Sequence, residues 1–243
     1  MLQPILSLAG GMLDLLAPPV CLLCGKPTLR ARRALCWACL NGPLLRAGAL
    51  SCGICGGRSA GAGRDCAACE KQRPAYFQAR AAVVFAGEVR RLVHLFKYRG
   101  ALWLRGDFGD WLHGCFTAHY SNAIFDCVVP VLVTRLKFFQ RHYNQSERLA
   151  RELGRRVSLP VLNGALARRG GTETQTTLSR RARGKNVARA FYVARPGEIL
   201  GKDVLLVDDV LTTGATANAC ARALLRAGAQ SVRIITVARG VLE

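Results

Sequence analysis

One stretch near the carboxyl end, Asp203-Val-Leu-Leu-Val-Asp-Asp-Val-Leu-Thr-Thr-Gly-Ala-Thr216, constrains the fold more than any other. Val204 to Val207 is a continuous apolar run of β-branched and leucine residues. That is the pattern of a strand buried on both faces, which belongs in a parallel sheet covered by helices. Asp208 and Asp209 follow at the strand's carboxyl end, and Thr212 to Thr216 is a small hydroxyl-rich loop. Ala217 to Arg226 is strongly helix-forming and stops at Gly228. Strand, tight loop and helix N-terminus together make an anion site, because loop N–H groups and the helix dipole both favour a phosphate. Gly214 lets the backbone approach closely, and Thr212, Thr213 and Thr216 add hydroxyl donors. The two carboxylates repel a phosphate but accept hydrogen bonds from sugar hydroxyls. The combination fits a ribose 5-phosphate: Asp208 and Asp209 on the ring hydroxyls, and Val210, Leu211, Thr212, Thr213, Gly214, Ala215 and Thr216 around the phosphate. The plainer alternative is an ordinary strand-to-helix turn with a negative lip.

The cysteines set the second constraint. Of the 11, eight fall in four C-x-x-C pairs before residue 70, while Cys115, Cys127 and Cys220 stand alone. Cys21 and Cys24 are followed by Cys36 and Cys39; Cys52 and Cys55 are followed by Cys66 and Cys69. The arrangement is an internal repeat of one unit. Four thiolates suit a closed tetrahedral zinc site, so two structural ions are expected. With no secretory leader evident, pairs at this spacing read as metal ligands and not disulfides. Gly25 and Gly56 each follow the second cysteine of a pair and ease the positive φ that such a turn needs. The segment is Gly-rich and short of large apolar residues, so metal must supply much of its folding energy. The spacing allows sequential or interleaved ligation; sequential is favoured. With four thiolates no coordination position stays open, which makes the role structural or one of recognition.

The rest of the chain reads in order. Residues 1–19 are apolar, with Leu2, Ile5, Leu6, Leu13 and Leu16 able to share one helix face. They lack a basic leader and contain Asp14, which argues against a signal peptide or membrane span. Residues 20–72 form the cysteine module, and 75–243 the main domain. A strand is expected over Ala81–Ala86. A helix follows over Gly87–Gly100 with Val89, Leu92, Val93 and Phe96 on one face, then another over 104–118. Phe125–Val133 reads as the first strand of the main sheet, its regular part ending near Val129 because of Pro130. Pro130, Val131, Leu132, Val133, Thr134 and Arg135 then form a loop at a strand's carboxyl end, where open α/β sheets bind ligands. A helix over Ser146–Arg156 has Ser146 as its N-cap. Arg168–Asn186 is polar and basic, a functional lid or a disordered segment. Ala190–Ala194 and Ser231–Ala238 are the remaining strands. Strands alternating with helices imply a mostly parallel α/β sheet.

The 243 residues carry 35 basic and 15 acidic groups, a formal charge of +20. So basic a chain favours polyanionic partners such as nucleic acid, although a basic surface serving a phosphorylated small molecule fits as well. Candidate nucleic-acid or lid contacts are Lys97, Tyr98, Arg99, Arg141, Asn144, Gln145, Arg180, Arg181, Arg183 and Lys185. A basic pair flanking an aromatic can stack a base and grip a phosphate.

The Val207–Thr216 segment resembles the 5-phosphoribosyl diphosphate (PRPP) signature of type I phosphoribosyltransferases. The chain as a whole resembles the ComF family over nearly its full length. The likeness rests on the double C-x2-C module, His94–Gly100, Val129-Pro-Val131, Arg141-His-Tyr-Asn-Gln145, Thr174-Gln175 with Arg183 and Asn186, and Val207–Thr216. It departs at His142 and Leu132, where the family has Gly and Pro. The resemblance implies a double zinc ribbon ahead of an α/β domain of type I phosphoribosyltransferase type. It implies PRPP and magnesium as ligands, with Asp208 and Asp209 as the catalytic acids and Pro130–Arg135 on the pyrophosphate. It also implies a cytoplasmic role in DNA uptake and natural transformation or in nucleotide metabolism. Single-stranded DNA and other DNA-uptake proteins are the candidate partners. The alternative is a DNA-binding competence factor whose PRPP pocket is a sensor or relic.

Overall fold

The computed structural model describes residues 19–28, 33–42, 51–61, 64–133, 138–139, 141, 143–168 and 190–240. The apolar residues 1–18 and the lid candidate over 169–189 lie outside these.

Four strands form a wholly parallel sheet: β1 (Gln78–Val84), β2 (Cys127–Pro130), β5 (Asp203–Leu211) and β6 (Ser231–Arg239), in the order β1-β6-β5-β2. β3 (Leu166–Arg168) and β4 (Phe191–Val193) pair antiparallel as a separate two-stranded piece. The parallel α/β expectation therefore holds, with one correction. Phe125–Val133 is not the first strand of the main sheet: β1 precedes it and lies at the opposite edge. β1 itself was readable from its apolar run, but its partner β6 is remote in sequence.

Pro130 sits inside β2, opposite Val207, one residue beyond the expected end. Edge position accommodates it. Val128 N–H points outward to Pro160 O at 2.9 Å, and Val131 N–H points inward to Val207 O at 2.9 Å. Pro130 shares Val128's outward phase, so its missing N–H costs the sheet no bond.

The alternation along β5 divides the interior. Leu205 and Val207 join Val128, Ile235 and Val237 in a core with α3 (Gly87–Tyr98), α4 (Arg105–Tyr120) and α5 (Gln145–Val157). Val204 and Leu206 join Val129, Val232 and Ile234 in a second core with α6 (Ala215–Arg226) and the β3–β4 pair. α3 buries Val89, Leu92, Val93 and Phe96, the face its periodicity predicts.

The two cysteine units are shared between these cores. Cys21, Leu35 and Leu40, the last on α1 (Trp37–Asn41), belong to the first. Trp111 Nε1–H donates to Leu40 O at 2.6 Å and Ala34 N–H to Asp107 Oδ2 at 2.9 Å, fixing that unit to α4. Cys52, Ile54, Cys55 and Cys69, the last on α2 (Ala67–Lys71), belong to the second core. Ala79 N–H donates to Ile54 O at 2.6 Å and Arg80 Nη2 to Gly53 O at 2.9 Å, fixing this unit to β1. Among the described residues no helix is long and apolar enough to cross a membrane.

Candidate functional site

β2 accompanies β5 as far as Val207, and β5 runs on to Leu211. Asp208 and Asp209 are thus the first residues of β5 past its neighbour's end, inside the strand and not after it. Adjacent strand positions point to opposite faces, and the two acids have different partners. Asp208 Oδ1 accepts the Ser146 hydroxyl at 2.8 Å and the Asp209 N–H at 2.8 Å. Asp209 Oδ1 meets Lys97 Nζ, from the last turn of α3, at 2.8 Å. Asp209 Oδ2 is buried with no hydrogen-bond partner. Burial, and next the charge of Asp209, push the Asp208 carboxyl up to about 7, against the opposing pull of the Asp209 N–H, Ser146 and Lys97.

Ser146 reaches Asp208 because it is not the N-cap. The cap is Asn144, whose side chain accepts the Ser146 N–H at 3.2 Å while its Nδ2 donates to Val131 O at 3.2 Å. Asn144 thereby ties the start of α5 to the start of the Pro130–Arg135 loop. Val131 is buried and Leu132 and Val133 are half-buried; Thr134 and Arg135 lie outside the described residues.

The loop after β5, the expected phosphate loop, is short. Thr212 to Gly214 link β5 to α6, and Ala215 and Thr216 form the helix's first turn. Gly214 has φ +77°, a left-handed value that favours glycine. It is also the N-cap and offers no capping side chain, while the Ala215 N–H donates to Thr213 Oγ1 at a long 3.4 Å. Arg239, at the end of β6, braces the loop from behind. Its Nη1 donates to Leu211 O at 2.6 Å, to Thr212 O and to Gly240 O at 3.2 Å, and its Nη2 lies 3.7 Å from Cys55 Sγ.

The cysteines gather sequentially. Cys21, Cys24, Cys36 and Cys39 form one cluster and Cys52, Cys55, Cys66 and Cys69 the other, each with all four sulfurs within 4.8 Å of one another. Cys24 and Cys36, and likewise Cys55 and Cys66, have sulfurs 3.7 Å apart. Zinc–sulfur bonds of about 2.3 Å place tetrahedral sulfurs about 3.8 Å apart, so the donor sets fit two structural zinc ions. N–H groups of Cys55 and Cys66 point at Cys52 Sγ, 3.5 and 3.3 Å away, which favours thiolate. Gly25 and Gly56 have φ +69° and +64°, as the turn geometry predicts.

The candidate nucleic-acid contacts scatter. Lys97 turns inward to Asp209, and Asn144 and Gln145 are buried. Arg141 is buried too, its guanidinium carbon 4.6 Å from the Tyr98 ring centroid, while Tyr98 and Arg99 are exposed. Arg180, Arg181, Arg183 and Lys185 lie outside the described residues. The sequence reading missed the parts of Ser146 and Arg239. An (i−2) Asn before Ser146 was the one visible hint of the first; nothing in the sequence marked the second.

Residues 145–241 match the family model described as phosphoribosyl transferase domain. The chain is 28% identical to competence protein F of Haemophilus influenzae, over 77% of this chain and 84% of that protein. It is 27% identical to DNA utilization protein YhgH of Escherichia coli, over 93% and 99%, and 25% identical to competence protein ComFC of Bacillus subtilis, over 95% and 98%. Parallel sheet, β5–loop–α6 unit and domain match define a phosphoribosyltransferase-type α/β fold, here preceded by two cysteine units. The chain is thus similar, over most of its length, to proteins named for competence and for DNA utilization.

Proposed function

We propose that the chain binds PRPP with magnesium and acts in the handling of DNA taken up by the cell, as a phosphoribosyltransferase-like protein. The acid pair carries this reading: two carboxylates lie where β5 outruns β2, beside a helix N-terminus whose N-cap is a glycine. Asp208 and Asp209 accept the ribose hydroxyls. The unpaired Asp209 Oδ2 is a position for a hydroxyl or a cation, and the oxygen-only acid pair suits magnesium. Magnesium supplies charge neutralisation for the diphosphate. Thr212–Thr216 hold the 5-phosphate, and main-chain groups from Pro130 onward face the diphosphate. The chemistry open to such a site is positioning plus charge stabilisation as diphosphate leaves the sugar. The names of the relatives, competence and DNA utilization, support the DNA part.

Thermal unfolding of the zinc-loaded chain with and without PRPP and magnesium tests the reading. Stability should rise by about 2.7 kcal/mol at a hundredfold excess over the dissociation constant. The rise should vanish in Asp208→Asn/Asp209→Asn. No rise in the parent would sink the PRPP reading.

One observation favours a second activity. The outer face of α3 presents Arg90, Arg91, His94, Tyr98 and Arg99 around one hollow. Tyr98 is 61% exposed, edge-on to His94 at 5.8 Å and backed by Arg141. An exposed ring among guanidiniums fits single-stranded DNA. Affinity for labelled single strands should fall steeply with salt and drop in Tyr98→Ala, whereas an unaffected Tyr98→Ala would remove this face from consideration.

A further inference from the structure

A cavity of about 330 Å³ opens where the phosphate loop meets the second cysteine unit. One wall is the face of α6 with Ala215, Asn218 and Arg222; Gln72, just past α2, and Tyr76 also line it. Thr213 and Gly214 border it, but neither Asp208 nor Asp209 does. The cavity therefore begins at the loop, runs along α6 and reaches Cys55, Cys66 and Cys69 of the second cysteine unit, without touching the acid pair.

Three groups there have unused bonding capacity. Tyr76 is 5% exposed, and its hydroxyl, beside Gly214, has no hydrogen-bond partner among the described residues. Leaving such a group unpaired is costly unless a ligand or water completes it. Arg222 is half-buried and likewise has no partner among the described residues. Asn218 Oδ1 accepts the Ala75 N–H at 2.7 Å, which directs its amide nitrogen elsewhere.

A phosphate monoester on the loop requires none of this, since the loop N–H groups and helix dipole suffice for it. A phosphate substituted on its outer oxygen would send the substituent into the cavity. Arg222 is placed to meet a second phosphate. Gln72, Asn218 and the Tyr76 hydroxyl offer the mixed donors and acceptors that a base edge needs, between the apolar surfaces of Pro74 and Ala219. The geometry points to a ribosyl 5-phosphate whose phosphate is joined to a second nucleotide as the ligand class of this site. The inference rests on the ribose-phosphate reading above and extends it beyond the monoester.

ADP-ribose is the probe, because its terminal ribose 5-phosphate continues through a diphosphate into adenosine. Calorimetric titration of the zinc-loaded full chain would compare it with ribose 5-phosphate and with PRPP and magnesium. The comparison is made in the parent, Arg222→Ala and Arg222→Glu. ADP-ribose should bind about tenfold tighter than ribose 5-phosphate, and both substitutions should abolish that advantage while leaving ribose 5-phosphate unchanged. If ribose 5-phosphate or PRPP binds but ADP-ribose gains nothing over ribose 5-phosphate, the extended site is wrong and the ribose-phosphate reading stands. Equal weakening of both ligands by the substitutions would also overturn it. If none of the three binds, both fall together.

Discussion

Asp208 is a buried acid beside a second acid, and its ionisation is tied to that placement. Its carboxyl is raised from 3.8 to about 7, chiefly by burial and then by Asp209. Between those values the folded chain holds a proton that the unfolded chain has released. Stability therefore falls as pH rises through that window, and the penalty is fully present above about pH 7. Asp208→Asn never ionises, and its amide oxygen can still accept from Ser146. The variant should gain on the parent from about pH 4 to about pH 7 and hold that gain above it. Urea midpoints across a pH series measure the difference; a constant difference would mean an ordinary carboxylate. PRPP affinity should rise with pH through about 7, where Asp208 of the folded chain becomes charged. The acid pair and loop were legible in the sequence because their chemistry is local. Ser146 and Lys97 were not, because each meets its acid only after α5 and α3 have docked on the sheet.

At the scale of elements, the start of α5 does more than begin a helix. Asn144 caps it and also holds Val131 O, so one side chain sets the spacing between the Pro130 loop and Ser146. Asn144→Ala should cost about 1 kcal/mol from the cap alone, more with the lost bond to Val131. PRPP affinity should also drop as Ser146 loses its fixed position. Chemical denaturation and calorimetry on one preparation would separate the two effects; unchanged affinity would confine Asn144 to a cap. Periodicity gave α3 its buried face correctly, and the apolar run gave β5 its start. The end of β5 was misjudged because continuation to Leu211 depends on pairing with β6, up to Leu211↔Arg239, which no local pattern encodes.

For the whole molecule, the two cysteine units act at separate places. They read as a tandem repeat, yet one packs with α3, α4 and α5 and the other with α6. The cysteine spacing pointed to two four-cysteine clusters, and nothing in it could show this division. Metal stripping should therefore not simply melt a tail. A strong chelator is expected to lower the unfolding temperature of the main domain and to change the environment of Trp111, whose indole bonds to Leu40 O. Scanning calorimetry with tryptophan fluorescence would show it, and an unchanged main transition would mean that the units are dispensable to the sheet. Through Arg239 the second unit also touches the phosphate loop, so loss of its metal should weaken PRPP binding as well.

The strand order has a consequence for how a ribosome delivers this fold. β1 is made early, but its neighbour in the sheet is β6, and β2 and β5 are both translated in between. A nascent chain thus carries an apolar strand edge with no mate for most of its synthesis. The second cysteine unit bonds the other edge of β1, through Ala79 N–H to Ile54 O, and leaves the edge that awaits β6 uncovered until the last strand is made.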